Sequence, residues 1–223
     1  MMQRVYGWMT FGLGVTAFTS FICSMFMPAV IAGGFMTLWI IAAILELVLV
    51  FVFASRIDKM SFGKALGIFT IYSALNGFTL TPLFAMYTLG SVVVTFLITM
   101  AMFGIMSLIG SFVKFDMSGW GKYFLMALIG LIIATIVNMF VASSLLYWLT
   151  TYAGILVFVG LTAYDTQQIQ NRLYKYGYPD FETAKNKIGS SEVNKLALEG
   201  ALELYLDFIN LFIYLLRIFG DSK

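Results

Sequence analysis

Long apolar stretches follow one another along most of the chain, separated by short segments that hold most of the charged residues. A helix needs about 20 mostly apolar residues to cross the roughly 30 Å hydrocarbon core of a bilayer. The stretches are continuously apolar rather than alternating at every second residue, which favours helices over a β-barrel. They predict seven membrane-spanning helices, at about 6–28, 33–54, 64–87, 90–112, 122–142, 145–164 and 196–219. The predicted fold is an all-α, seven-helix membrane bundle formed by a single domain, residues 1–223.

The composition supports this interpretation and narrows the chemistry. Of the 223 residues, 61% are hydrophobic and 11% are charged, whereas soluble domains contain about 25% charged residues. Cys23 is the single cysteine, which excludes an intramolecular disulfide, and there is no histidine. The usual nitrogen ligands of zinc and haem are therefore missing, and a metal site would have to be built from oxygen atoms.

The positions of the basic residues predict the orientation in the membrane. Eleven of the thirteen Lys and Arg residues fall before the first span or in the connections after the second, fourth and sixth. They are Arg4, Arg56, Lys59, Lys64, Lys114, Lys122, Arg172, Lys175, Lys185, Lys187 and Lys195. Because basic residues concentrate on the cytoplasmic side, the N-terminus is predicted inside and the C-terminus outside. Topology accounts for the net charge of +2, so no nucleic-acid partner is predicted.

The connection between the sixth and seventh spans, residues 165–195, is predicted as the only sizeable piece outside the membrane. Its stretch 181–187 has the mixed charge of a short surface helix, but a solvated cytoplasmic loop is the favoured interpretation. Pro82 is predicted to bend the third span. Gly63 and Gly67 form a small-xxx-small pair, which predicts a helix-packing contact.

Five acidic residues lie inside or at the ends of the apolar stretches. They are Glu46, Asp165, Glu199, Glu203 and Asp207. A charge at the bilayer centre costs from about 3 to more than 10 kcal/mol, so such residues are expected to face the bundle interior or a water-filled cavity. Glu199, Glu203 and Asp207 recur at every fourth residue and form one stripe on the last helix, which is predicted to turn inward.

Two interpretations of these acids remain open from the residues alone. Like charges at this spacing repel one another, and a shared proton or a divalent cation would relieve the repulsion. Calcium prefers hard oxygen ligands such as carboxylates. Alternatively, the acids form hydrogen bonds to neighbouring helices and only fix the packing. Arg56, at the end of the second span, is most simply an anchor at the membrane interface.

Two segments resemble a known family. Residues 204–220, LYLDFINLFIYLLRIFG, and residues 160–170, GLTAYDTQQIQ, closely resemble the Bax inhibitor-1 family of membrane proteins. The resemblance implies six helices around a central seventh and a pH-sensitive calcium leak in which two aspartates sense protons. Asp165 of the YD motif and Asp207 of LYLDF match that pair. Glu46 and Arg56 resemble a Glu and an Arg of the second span that contribute to the site and its closure, and Glu203 matches an acid present in some members.

The first functional hypothesis is therefore a calcium leak gated by a proton shared between Asp165 and Asp207. In this hypothesis calcium is the transported or bound ion, with a predicted binding site at the two aspartates, and no cofactor is expected. Arg56 would act as an electrostatic latch, and Glu46, Glu199 and Glu203 are further candidates for the ion path. The resemblance to bacterial members also predicts a bacterial plasma (inner) membrane location.

Two other hypotheses belong to different classes. A diaspartyl intramembrane protease also places YD on one span and a second Asp on the next, but its GxGD signature is absent, since Tyr205 and Leu206 precede Asp207. A non-enzymatic protein is therefore predicted. The third hypothesis, implied by the resemblance, is a protein that modulates a membrane-anchored ATP-dependent protease or another membrane protein.

Overall fold

The computed structural model describes residues 1–26, 35–113, 115–175, 177–178 and 180–222. Within these ranges the chain forms seven α-helices and two short 3-10 turns. The helices are α1 (Met2–Met25), α2 (Phe35–Arg56), α3 (Phe62–Met86), α4 (Leu89–Phe112), α5 (Gly121–Val141), α6 (Ser144–Lys175) and α7 (Phe181–Phe219). The 3-10 turns are Ile57–Lys59, between α2 and α3, and Ser118–Trp120, before α5.

The prediction of an all-α chain is confirmed over the described residues. The helices α1 to α6 are long and apolar enough to cross a membrane. The last helix, α7, does not join this set, because Glu199, Glu203, Asp207 and Arg217 interrupt its apolar half. Six candidate spans are thus established, and a seventh remains a prediction.

The segment 165–195 is mostly helical, so its favoured interpretation as a solvated loop is wrong over most of its length. The helix α6 continues to Lys175, and α7 begins at Phe181. Asp180 caps α7, because its carboxylate accepts hydrogen bonds from the Thr183 N–H (2.7 Å) and the Thr183 hydroxyl (2.9 Å). Gly189, with φ 86° and ψ 156°, interrupts the helix, so α7 consists of two helical parts.

Packing within this segment explains why it is ordered as helix. Leu173 of α6 forms a buried cluster with Ala184 and Val193 of α7, and Ile188 and Leu196 pack against it. A helical face that buries apolar side chains is stabilised well beyond its intrinsic propensity. The sequence did not clearly indicate these helices, because charged residues are interspersed among the apolar positions.

The chain divides into two compact units. The first contains Met1–Thr88, Leu173–Tyr205 and Ser222–Lys223, and the second contains Leu89–Arg172 and Leu206–Asp221. In the first unit, α1 and α2 both pack against α3. In the second, Phe158 and Leu161 of α6 form a core cluster with Leu211 and Leu215 of α7.

Glycines mark the closest approaches between helices, at positions other than those predicted. A Cβ added at Gly63 or Gly67 would meet nothing within 4 Å, so the predicted packing contact there is wrong. In the first unit, a Cβ at Gly77 of α3 would lie 2.5 Å from the carbonyl oxygen of Thr16 on α1. In the second unit, a Cβ at Gly110 of α4 would collide with the backbone carbonyl of Ala163 on α6. Only glycine allows these pairs of backbones to pack so closely.

From Val193 to Ile218 the last helix has no exposed residue. Most of the largest fully buried side chains belong to α7, among them Leu204, Tyr205, Phe208 and Leu211. By contrast α5, which is described in full, buries only Leu131. Both the polar stripe and the apolar face of this part of α7 are therefore at least partly buried.

Candidate functional site

Asp207 is a carboxylic acid held among apolar and aromatic side chains. It is 4% exposed, and the next residue, Phe208, is 2% exposed. The ring of Phe208 makes edge contacts with Phe96 and Phe103 of α4, with ring centroids 5.3 and 5.5 Å apart. Removing a carboxylate from solvent is costly unless it is compensated. Such a burial is typical of a functional acid.

Asp165 lies on α6, is half-buried, and belongs to the same unit as Asp207. It follows Leu161 by four residues, and Asp207 precedes Leu211 by four residues. Leu161 and Leu211 are members of one core cluster. Each aspartate therefore lies about one helical turn from this cluster, on the face of its helix that contributes to it.

The residues that follow Asp165 fix the rotation of α6. The hydroxyls of Thr166 and Ser107 of α4 are 3.0 Å apart and hydrogen-bonded. The side chain of Gln167 accepts a hydrogen bond from the Met117 N–H and donates one to the Phe115 carbonyl, both at 2.8 Å. These bonds join α6 to α4 and to the connection between α4 and α5, so the orientation of Asp165 is set by two neighbouring residues.

A row of hydroxyls on α4 is a feature that sequence reasoning missed. Ser91, Thr95, Thr99 and Ser107 are buried on one face of this helix, and Phe103 occupies the remaining fourth-residue position. The Thr99 hydroxyl donates to the Thr95 carbonyl at 2.8 Å, while the Thr95 hydroxyl is buried without a hydrogen-bond partner among the described residues. Attention to charges alone hid this signal, which is a hydroxyl at every fourth position of an apolar helix.

Glu46 is half-buried at the contact between α2 and α3. Its carboxylate accepts a hydrogen bond from the Thr79 hydroxyl at 2.8 Å and a longer one from the Asn76 amide at 3.5 Å. The indole N–H of Trp39 donates to the Thr79 carbonyl at 2.9 Å. Glu46 is thus part of a polar network in the first unit, with no basic residue among these partners.

Tyr205, two residues before Asp207, is a second feature that the sequence did not single out. It is fully buried, and its hydroxyl lies 2.6 Å from the Thr16 hydroxyl of α1. The Thr16 hydroxyl also lies 2.9 Å from the Ser73 carbonyl, to which it donates. The Tyr205 ring packs edge-on against Phe69 and Tyr72 of α3. These contacts hold α7 against α1 and α3 immediately before Asp207.

The row of acids on α7 is divided between two environments. Asp207 belongs to the second unit, whereas Glu199 and Glu203 belong to the first and are half-buried. Glu199 lines a cavity of about 190 Å³ together with Asp58, Glu192 and Lys195. Lys195 is 5% exposed, and its ammonium group lies 2.9 Å from the Glu192 carboxylate and donates to the Asp58 carbonyl. Glu199 is therefore near a buried cation.

Arg56 is the last residue of α2 and is exposed. It follows Glu46 by ten residues, which corresponds to roughly 15 Å along a helix. The structure therefore does not bring Arg56 and Glu46 together.

The residues that the structure describes contain no group of three or more His, Cys, Asp or Glu side chains that could hold a metal ion. Calcium takes about six to eight oxygen ligands, more than two aspartates supply. Any calcium at Asp165 and Asp207 would therefore need water or hydroxyl oxygens as further ligands.

The fold and the buried acids together define a class: a multi-pass, all-helical membrane protein with carboxylates among its spanning helices. A family model described as "Inhibitor of apoptosis-promoting Bax1" matches residues 1–223, and the chain belongs to this family, the Bax inhibitor-1 family. The resemblance of the two sequence segments is thereby confirmed.

Relatives of this chain are named as membrane proteins or are uncharacterized. "Inner membrane protein YbhL" of Escherichia coli K12 is 43% identical over 225 residues, covering 100% of this chain and 92% of that protein. An uncharacterized protein of Borreliella burgdorferi is 38% identical, and the match covers 100% of this chain and 92% of that protein. An uncharacterized protein of Deinococcus radiodurans is 36% identical, and the match covers 100% of this chain and 90% of that protein. With the apolar helices, these matches support a multi-pass inner-membrane protein.

Proposed function

We propose that this protein is a pH-sensitive calcium leak of the inner membrane, gated by a proton shared between Asp165 and Asp207. The single observation that carries the proposal is the placement of Asp207, a carboxylic acid that is 4% exposed and lies in the buried part of α7. Consecutive helices joined by a short connection commonly run antiparallel. Asp165 lies one turn after Leu161, and Asp207 lies one turn before Leu211. In antiparallel helices these two steps run in the same direction, so the two aspartates come to the same height along the helix axes.

The proposed gate follows from elementary electrostatics. With one proton between them, the two carboxyl groups form a hydrogen bond that holds α6 to α7. With both ionised, they repel strongly in a medium of low dielectric constant, and the repulsion separates the helices unless a cation bridges them. Calcium, carrying two charges, can bridge two carboxylates.

The proposal assigns supporting roles to the other acids and to Arg56. The apolar half of α7 forms a central seventh span, with the N-terminus in the cytoplasm and the C-terminus outside. Glu46, held by Thr79, is a further carboxylate on the ion path, and Glu199 and Glu203 lie toward its cytoplasmic end. Arg56 acts as a latch from the cytoplasmic end of α2. No catalysis is proposed.

Calcium flux into proteoliposomes tests the gate. We expect the wild type to admit calcium at a rate that depends on pH, and we expect Asp165→Asn and Asp207→Asn each to abolish that dependence, because an amide cannot exchange the gating proton. Asp180→Asn, the same substitution at an exposed position, is the matched control and should behave as the wild type. Unchanged flux and an unchanged pH response in both gate variants would refute the proposal.

A further inference from the structure

A second site lies at the junction of α2 and α3, and none of the acids described above lines it. An open groove of about 820 Å³ is lined at one end by three basic residues, Arg56, Lys59 and Lys64. Along α3 its wall is apolar and is formed by Gly67, Ile68 and Ile71. The groove therefore has a strongly cationic end and an apolar wall.

The three cations are available to a ligand. None of them forms an ion pair or a side-chain hydrogen bond with another described residue. The one nearby acid, Asp58, does not line this groove but the smaller cavity that contains Lys195. Three like charges close together repel one another, so a bound anion would stabilise this end of the groove.

The apolar wall defines the kind of anion. From Lys64 to Ile71 the wall extends seven residues, about 10 Å along the axis of α3. Gly67 adds no side chain, and a Cβ there would meet nothing within 4 Å, which leaves room for a chain to lie against the helix. A free phosphate ion would use the cations but leave this wall without a partner, whereas a phospholipid would use both.

We propose that this groove binds an anionic phospholipid, with the phosphate oxygens held by Arg56, Lys59 and Lys64 and an acyl chain lying along Gly67, Ile68 and Ile71. Basic pockets at the cytoplasmic ends of membrane helices recognise anionic headgroups in this way. None of the aspartates or glutamates of the proposed calcium gate lines the groove, but Arg56, the proposed latch, does. The variants below therefore leave Arg56 unchanged.

Native mass spectrometry tests whether the basic residues bind the headgroup. The detergent-purified protein is titrated with phosphatidylglycerol or with phosphatidylcholine of the same acyl chains. The double variant Lys59→Gln/Lys64→Gln is expected to lower the affinity for phosphatidylglycerol by roughly 10- to 30-fold, since each basic residue near an anionic lipid surface contributes roughly a factor of three to five. Phosphatidylcholine binding should not change. The matched control Lys122→Gln/Lys187→Gln removes the same charge elsewhere on the predicted cytoplasmic side and should bind as the wild type.

A second variant tests the apolar wall while keeping every charge. Gly67→Leu fills the groove with a side chain and should lower phosphatidylglycerol binding several-fold, whereas Gly130→Leu, at another open position, should not. Inorganic phosphate at the same concentration should not displace the lipid. Circular dichroism and size-exclusion chromatography verify that each variant is folded.

Three outcomes would overturn the proposal: equal phosphatidylglycerol binding by the lysine variant and its control, undiminished binding by Gly67→Leu, or displacement of the lipid by inorganic phosphate. Lipid binding is measured without calcium flux, so a failure here is distinct from a failure of the proposed gate.

Discussion

The Tyr205 hydroxyl is a single group on which three helices of the first unit meet. It is hydrogen-bonded to Thr16 of α1, while its ring packs against Phe69 and Tyr72 of α3. A buried hydroxyl is costly to desolvate unless it is hydrogen-bonded. The residue therefore fixes the rotation of α7 one half-turn before Asp207.

Tyr205→Phe is expected to lower the free energy of unfolding by about 1–2 kcal/mol, because it removes the hydrogen bond to Thr16 but keeps the ring. Thermal unfolding in detergent measures the change. Tyr214→Phe is the control, because the Tyr214 ring stacks on Phe158 while no described residue bonds its hydroxyl. Equal loss in the two variants would show that the Thr16 bond contributes nothing.

Asp180 provides a pH-dependent cap at the exposed start of α7. The hydrogen bonds donated by the Thr183 N–H, and then by its hydroxyl, lower the pKa of Asp180 below its usual value. A lowered pKa in the folded state means that the capping contribution is present above the ordinary Asp pKa and is lost as the pH falls through the lowered value.

Asp180→Ala should therefore increase hydrogen exchange of the amides of residues 181–188 at pH 7, because Thr183 loses its acceptor. Hydrogen-exchange mass spectrometry measures this. Asp180→Asn retains an acceptor oxygen and should lie between the wild type and the alanine variant. Identical exchange in the wild type and Asp180→Ala would contradict the assigned cap.

At the scale of elements, the contact of α4 with α6 depends on the absence of one side chain. Gly110 of α4 lies against the backbone of Ala163, two residues before Asp165. The Ser107–Thr166 hydrogen bond joins the same two helices. The spacing of α4 and α6 at the candidate gate is therefore set by backbone contact and a pair of hydroxyls.

Gly110→Ala is expected to destabilise the protein by about 1–3 kcal/mol, because a Cβ would push the backbone of Ala163 away. Gly130→Ala, at an open position of α5, should be neutral or slightly stabilising, since alanine favours helix over glycine by up to about 1 kcal/mol. Melting temperatures in the same detergent compare the two. A stable Gly110→Ala variant would show that the two helices separate without cost.

At the scale of the whole molecule, the topology makes one direct prediction. Basic residues concentrate beside the ends of α2 and α6, and we expect the N-terminus to lie inside and the C-terminus outside. A seventh span at the end of α7 is required for this, since six spans would return the chain to the starting side.

Reporter fusions test the predicted position of the C-terminus outside the cytoplasm. Alkaline phosphatase joined after residue 222 should be active, because it folds only outside the cytoplasm, and green fluorescent protein joined at the same position should stay dark. The same reporters joined after Lys175 should give the opposite pattern. A fluorescent C-terminal fusion would exclude the seventh span.

The helices and the family could be recognised without coordinates, because the length of an apolar run and a motif such as LYLDF are local properties of the chain. The identity of the acids within apolar stretches, including Asp165 and Asp207, was equally local. The residues that surround these acids in the fold are not a local property of the chain. The partners of Glu46, the hydroxyl row of α4 and the Thr16–Tyr205 bond each join residues far apart in sequence, so no spacing along one helix could predict them.

Folding also changed what the local patterns meant. The stripe of Glu199, Glu203 and Asp207 is continuous on one helix, but packing places its members in two units. The pair Gly63 and Gly67 has the spacing of a packing motif, but the helix contacts formed instead at Gly77 and Gly110. Residues 165–195 became helical because Leu173, Ala184 and Val193 bury one another. Periodicity states which residues share a face, and only the packing of other elements decides what that face meets.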